Sequence, residues 1–310
     1  NALQVNTTGA NNTAVGRSTL EANTTGATNT ALGYRALLAN TTAADNTAVG
    51  ADALVSNTTG ASNSALGHDA LAANTTGGNN TAIGTFALDA CTTGANNTAM
   101  GNSALGALTT AAGITAVGNG AGLSLTTGAG NAFFGANAGD SVTTGANNTI
   151  IGANAGMDLT TGGSNTFVGE EAGQNSVGAD NTFVGAFAGE NYNDGDRNTS
   201  LGRAALLGVD GSSTGDNNVA IGYNAMLANT TGAQNVAVGA TCLDANTTGA
   251  NNVAIGNGTL ESNTTGGSNT AIGGTSLDAN TTGGNNVAVG FAALGTTTTV
   301  DSLTAVGYAA

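Results

Sequence analysis

Few residues of this chain could do chemistry, and their spacing limits what that chemistry could be. The single histidine, His68, has no second imidazole with which to share a metal, and no serine or cysteine is spaced to form a nucleophile and base couple with it. Gly118-Asn119-Gly120-Ala121-Gly122 has the small residues of a phosphate cradle, yet it lacks the G-x-G-x-x-G spacing and the lysine, and no helical pattern follows it. Asn191-Tyr192-Asn193-Asp194-Gly195-Asp196 begins like an EF-hand loop, but the glutamate at the twelfth position and the flanking helices are missing. Only Tyr192, Asp194, Asp196 and Arg197 break the surrounding pattern in a polar way, too few for a catalytic constellation. The expectation is therefore a chain without cofactor, metal or turnover, that is, not an enzyme.

What positions these residues is a period. Asn12-Thr13-Ala14-Val15-Gly16 returns every 17 residues, as Asn29-Thr30-Ala31-Leu32-Gly33 and Asn46-Thr47-Ala48-Val49-Gly50, through to Leu303-Thr304-Ala305-Val306-Gly307. One unit reads N-T-A-V-G-x-x-A-L-x-x-N-T-T-G-x-x, numbered here 1 to 17. Position 5 is glycine in every unit, beginning with Gly16, Gly33, Gly50, Gly67 and Gly84, which marks a structural corner that needs positive φ or has no room for a Cβ. A helical repeat needs roughly 33 residues or more, and 51 glycines among threonines and asparagines make poor helix. The period predicts an all-β fold, a parallel β-solenoid or β-roll of about 18 coils. Each coil is expected to hold a strand at positions 1 to 4, the glycine corner, a second short strand at 7 to 10 and an Asn-Thr-Thr-Gly turn.

Residues 1–310 are expected to form a single repeat array of roughly 85 Å at about 4.8 Å per coil. The array is already running at Asn1 and still running at Ala310, which predicts a longer chain or copies stacked end to end. Its irregular coils span 165–217: the unit starting at Asn165 has 16 residues and the one starting at Asn198 has 20. The three extra residues lie within Gly208, Val209, Asp210, Gly211, Ser212 and Ser213, a stretch expected to form a loop on one face and a contact point for a partner.

Substitutions between units suggest which side chains point inward. Position 2 exchanges Thr for Val and position 4 takes Val, Ile, Leu, Met or Phe, so these two are expected to line the coil interior. Position 3, on the other strand face, is mainly Ala and never charged, and a strand apolar on both faces is usually covered on both. One coil covers one face, so position 3, enlarged to Phe133, Ile150, Phe167 and Phe183, is expected at a subunit interface. Where position 3 grows, position 9 shrinks from Leu to Gly122, Gly139, Gly156, Gly173 and Gly189, which implies that position 9 packs against position 3 of its own coil and of the next. Position 12 turns apolar in the same stretch, at Leu108, Leu125, Val142 and Leu159, so the usual asparagine there is expected to face inward as a ladder. That assignment makes the recurring Asn-Thr-Thr sequons repeat chemistry and not glycan acceptors.

Composition excludes several partners. Four arginines, no lysine and 19 acids give a net charge of -15, which leaves no basic face for nucleic acid or an anionic membrane. Eight of the 19 acids, among them Glu21, Asp89, Asp158, Asp244, Glu261 and Asp278, fall at positions 10 and 11 and read as a solvated stripe. No apolar run approaches the roughly 18 residues of a membrane span. Cys91 and Cys242 lie nine units apart, on the order of 40 Å in a stack, beyond the reach of a disulfide.

Repeats of the form Asn-Thr-Ala-Val-Gly-x-x-Ala-Leu resemble the head repeats of YadA-like trimeric autotransporter adhesins, and the Asn-Thr-Thr-Gly closing each unit makes the chain similar to the tail-fibre repeat proteins of phages and bacteria, which it matches more closely in period. The resemblance implies a left-handed β-roll and a homotrimer, neither of which the spacing itself dictates. On this reading the chain is a structural subunit of an extracellular fibre or filament on a cell surface or a virion, an adhesin head, shaft or tail fibre giving reach and attachment. Its partners would be its own copies and a surface receptor or glycan. The competing expectation is an ice-binding solenoid with a Thr/Asn ladder face, against which the phase slips at Asn165 and Asn198 would count by breaking the lattice.

Overall fold

The computed structural model describes all 310 residues, which contain 18 short parallel strands and no helix. The chain divides into two compact units, Asn1–Ala153 and Asn154–Ala310. In the first, β1 to β9 are Thr13–Val15, Thr30–Leu32, Thr47–Val49, Ser64–Leu66, Thr81–Ile83, Thr98–Met100, Thr115–Val117, Ala132–Phe134 and Thr149–Ile151. In the second, β10 to β18 are Thr166–Val168, Thr182–Val184, Thr199–Leu201, Val219–Ile221, Val236–Val238, Val253–Ile255, Thr270–Ile272, Val287–Val289 and Thr304–Val306. Each unit is a β-solenoid in which every strand pairs in parallel with those of the coils before and after it, like position on like position, as Thr13 on Thr30 and Ala14 on Ala31.

Each strand stops after three residues because the position 5 glycine turns the chain. Gly50 sits at φ 137°, and a Cβ there would lie 2.3 Å from the carbonyl oxygen of Gly67 in the next coil. Both the dihedral and the close approach forbid a side chain.

The strand faces are the reverse of the sequence expectation. Position 3 points into the coil: Ala31, Ala48, Phe133, Ile150, Phe167 and Phe183 are all fully buried within a single chain. Phe133, Ile150, Phe167 and Phe183 are thus core residues and not a subunit interface. Positions 2 and 4 face outward. The physical reason is the bore of so small a coil, which has room for Ala beside a buried Leu, whereas the Thr and Val that alternate at position 2 have nearly the same shape and fit either environment.

The second strand at positions 7 to 10 is also absent. Positions 7, 9 and 17 adopt the left-handed region, as at Arg35 (φ 57°), Leu37 (φ 52°) and Asp45 (φ 62°), and the chain between the glycine corner and position 11 is a run of turns. A non-glycine residue there costs roughly 1–2 kcal/mol. The twist is offset because it drops the Leu37 side chain into the core while its amide donates to Ala53 O of the next coil at 3.0 Å.

Position 9 packs where expected. A Cβ on Gly122 would come within 2.6 Å of the Phe133 ring, and one on Gly139 equally close, so the ring occupies space that leucines fill in other coils. In the second unit Phe167 lies over Gly173 and Phe183 over Gly189, and the two rings stack with centroids 5.1 Å apart.

Two asparagine columns, at positions 1 and 12, close the regular coils. Asn40 Nδ2 donates to Asn23 Oδ1 at 2.8 Å, Asn57 Nδ2 to Asn40 Oδ1 at 3.1 Å, and Asn74 Nδ2 to Asn57 Oδ1 at 2.8 Å, an unbroken amide ladder at position 12. At position 1, Asn29 Nδ2 donates to Ala43 O at 2.8 Å while its Oδ1 accepts the Asn46 amide at 3.0 Å. Threonines contribute at position 13, where Thr58 Oγ1 donates to Thr75 O at 3.0 Å, but the outward threonines of positions 2 and 14 take no part in these ladders. Position 12 turns apolar at Leu108, Leu125 and Val142 of the first unit and Leu159 of the second, all buried.

The phase slips leave the sheet intact. Across the 16-residue coil Thr166 pairs with Thr182, and across the 20-residue coil Thr199 pairs with Val219. Tyr192 spans this disturbance from inside: its hydroxyl accepts from Asn229 Nδ2 at 2.8 Å and Asn218 Nδ2 at 3.1 Å, taking the place of the missing position 12 amide. Burial pushes its phenol pKa well up.

Candidate functional site

The outward strand face is the surface that the fold builds most regularly. A three-residue strand with its middle side chain inside must present the other two outside. In the first unit these are Thr13, Thr30, Thr47, Ser64, Thr81 and Thr98 in one column and Val15, Leu32, Val49, Leu66, Ile83 and Met100 in the next. Leu32 is 45% exposed and Leu66 50%. None of the 36 outward strand positions of the chain carries a charge. The columns were visible in the sequence but assigned to the wrong side of the strand.

A second surface runs along the corner at positions 6 and 7, where the repeat varies most, and sequence reasoning passed over it. Arg17 and Arg35 place their guanidinium carbons 5.7 and 5.6 Å from the centre of the Tyr34 ring, and Arg35 Nε pairs with Asp52 Oδ1 at 3.1 Å. His68 Nδ1 lies 3.0 Å from Asp69 Oδ2, and its ring meets Phe86 edge-on at 5.6 Å. The signal was compositional: two of the four arginines, the only histidine and two aromatic residues fall in these variable positions within the first five coils.

The loop Gly208 to Ser213 projects from the second unit, with Val209, Asp210, Gly211 and Ser212 exposed and Gly208 and Ser213 buried at its base. The Ser213 hydroxyl accepts the Val209 amide at 2.7 Å and donates to Asn229 O at 3.1 Å, which pins both ends. Burial, with the charges of Glu171 and Asp210 adding to it, raises the Glu190 pKa beside this loop.

Asn191 to Asp196 does not form an ion loop. Tyr192 is in the core, and Asp196 Oδ1 accepts the Ala179 amide at 2.8 Å, so the segment is spent on coil-to-coil bonding. The acid column at position 10 is partly desolvated: burial raises the pKa of Asp89, Asp244 and Glu261, and Asp278 and Asp244 add to the shift at Glu261. Cys91 and Cys242 are free and buried, and burial pushes the Cys242 thiol up to about 12. No helix is long and apolar enough to cross a membrane. The corner glycines Gly16, Gly33, Gly50, Gly67 and Gly84 all lie at φ between 136° and 148°, each against the backbone of the next coil. No family model matches the chain, and neither does any curated protein.

Proposed function

We propose that this chain is a structural subunit of an extracellular fibre, on a cell surface or a virion, whose copies associate through the outward strand face. The observation that carries the reading is that face: uncharged at every coil in a chain of net charge -15, and apolar at position 4 throughout. With nine strands at about 4.8 Å and about 10 Å of strand width, each unit by itself presents on the order of 400 Å² of it. About half of it is the apolar position 4 column, a continuous strip on the order of 200 Å² beside a column of hydroxyls. The role needs stiffness and reach, not turnover, and the amide ladders and obligatory corners supply stiffness from side chains that no reaction requires. Three copies is the number the resemblance implies, with the contact made by positions 2 and 4.

The test is the native mass at micromolar concentration together with electron micrographs of the assembled material. A trimer that becomes monomeric in Leu66→Asp/Met100→Asp, with the β signal retained, supports the proposal, and a wild-type monomer overturns it. The ice-binding reading gains one observation, since the strand columns keep register through the irregular coils. Against it, Leu32, Met100 and Phe134 rise unevenly among the smaller side chains of the face. Thermal hysteresis of the purified chain, with no self-association, would transfer the assignment to ice binding.

A further inference from the structure

In the first unit, one turn of the position 10 column is missing a side chain. Gly106 stands between Asp89 of the coil before and Leu123 of the coil after, leaving a notch of about 460 Å³ walled by Phe86 and Ser103 on one side and by Ala107 and Ser124 on the other. The volume falls within the roughly 300–1,000 Å³ of small-molecule sites. Phe86 is 40% exposed and Leu123 37%, so both offer apolar surface to an occupant, and the Phe86 ring makes a T-shaped contact with His68 at 5.6 Å. The polar groups on the rim are a carboxylate and two hydroxyls, without a cation.

We propose that this notch binds a neutral saccharide ring, with the C–H face of the sugar on Phe86 and Leu123 and its hydroxyls donating to the Asp89 carboxylate and exchanging hydrogen bonds with Ser103 and Ser124. Each part of that assignment follows from the lining. An aromatic face beside hydrogen-bonding groups suits a ligand that is apolar on one side and rich in hydroxyls at its edge. A carboxylate accepts hydroxyl donors through charge-assisted bonds, which are stronger than neutral ones. An anionic sugar would meet Asp89 and the net charge of -15 with nothing to balance them. The Asp89 carboxyl is short of water, since burial raises its pKa against the backbone amides of Asp89 and Ala90 that hold it down, so a hydroxyl donor replaces hydration already partly lost. Gly106 is what opens the site: the other coils of the first unit carry a side chain in that column, such as Leu38, Val55 or Asp140.

The inference does not rest on the fibre reading, because it concerns a different face and is tested on the chain in solution. Saturation-transfer NMR is recorded on the intact protein with glucose, galactose, mannose and N-acetylglucosamine, each at about 10 mM. At least one is expected to receive saturation, and the transfer should fall at least about fivefold in Gly106→Leu, which fills the notch, and in Phe86→Ala, which removes the platform. Leucine occurs at position 10 elsewhere, so Gly106→Leu keeps the fold, checked by circular dichroism. Absence of transfer to all four sugars, or equal transfer in wild type and both variants, overturns the proposal. Transfer to N-acetyl-lysine amide in place of any sugar also overturns it, in favour of a cationic peptide.

Discussion

Phe133 and Gly139 form a matched pair, and exchanging them should show it. Phe133→Ala alone empties a fully buried ring site and should cost about 3–5 kcal/mol. Gly139→Leu alone places a Cβ 2.6 Å from Phe133 Cε1. Carbon contacts settle at about 3.5–4.0 Å, so the overlap is roughly 1 Å before the rest of the leucine is counted. Overpacking of this kind costs about 1–3 kcal/mol or more. The backbone itself adds little, because Gly139 at φ 61° already has the conformation that Leu37 adopts at φ 52°. The double variant restores the Ala and Leu pairing found in coils such as Ala31 with Leu37, so it should be more stable than either single change, with a favourable coupling of at least about 2 kcal/mol. Adding Gly122→Leu should recover more, since Gly122 covers the opposite edge of the ring at 2.6 Å. Repeat arrays need not unfold in two states, so the assay is hydrogen exchange of the amides from β7 to β9. Additive losses in the double variant would refute the packing argument.

Phe167→Asp should unfold its own coil instead of dissociating an assembly, because the ring is in the core; exchange protection of β10 and β11 is the readout. Tyr192→Phe removes the hydroxyl shared by Asn218 and Asn229 and should cost about 1–2 kcal/mol in a denaturant titration, with both amides still bonded to Gly232 O. Asp89, Glu190, Asp244 and Glu261 all have raised pKa values, so the native state holds more protons than the unfolded chain between the ordinary carboxylate range and the raised values. The contribution is therefore full below that range and lost as pH rises through the raised values, and melting curves should show the array gaining stability from about pH 7 down to about pH 4. A melting temperature that falls steadily over that interval would contradict the burial assigned to these carboxyls.

The period, the corner glycines and the inward position 12 asparagines were legible because each is a hard constraint repeated in every coil. A Cβ at Gly50 collides with the next coil, and the Asn40 amide bonds to Asn23 and Asn57 of its own column as well as to Ala43 O of its own turn. The direction of the strand was not legible, since Ala at position 3 and Thr or Val at position 2 are all small and compatible with either side. The false second strand had a cause as well: Ala36 and Leu37 are both buried, which mimics part of an apolar strand, while the left-handed backbone at Leu37 has no sequence signature of its own. One clue was available. Position 9 takes Leu, Met or Gly but never Val or Ile, the β-branched residues that position 4 favours and a left-handed residue avoids. The notch at Gly106 was not legible because a glycine in a variable column, which Gly295 repeats in the second unit, looks like drift until its neighbours are seen on either side.

The strand register that survives coils of 16, 17 and 20 residues bears on heredity. Tandem units of one length and like sequence invite unequal recombination between them, and such an event would add or remove whole coils in frame. Apart from Tyr192, which reaches past the 20-residue coil to Asn218 and Asn229, the coils bond to the ones beside them, so a chain longer or shorter by a regular coil would meet the same neighbours at every junction. The fold therefore tolerates a change in the number of coils, while a short insertion within Gly208 to Ser213 lets one coil differ without breaking the strand register.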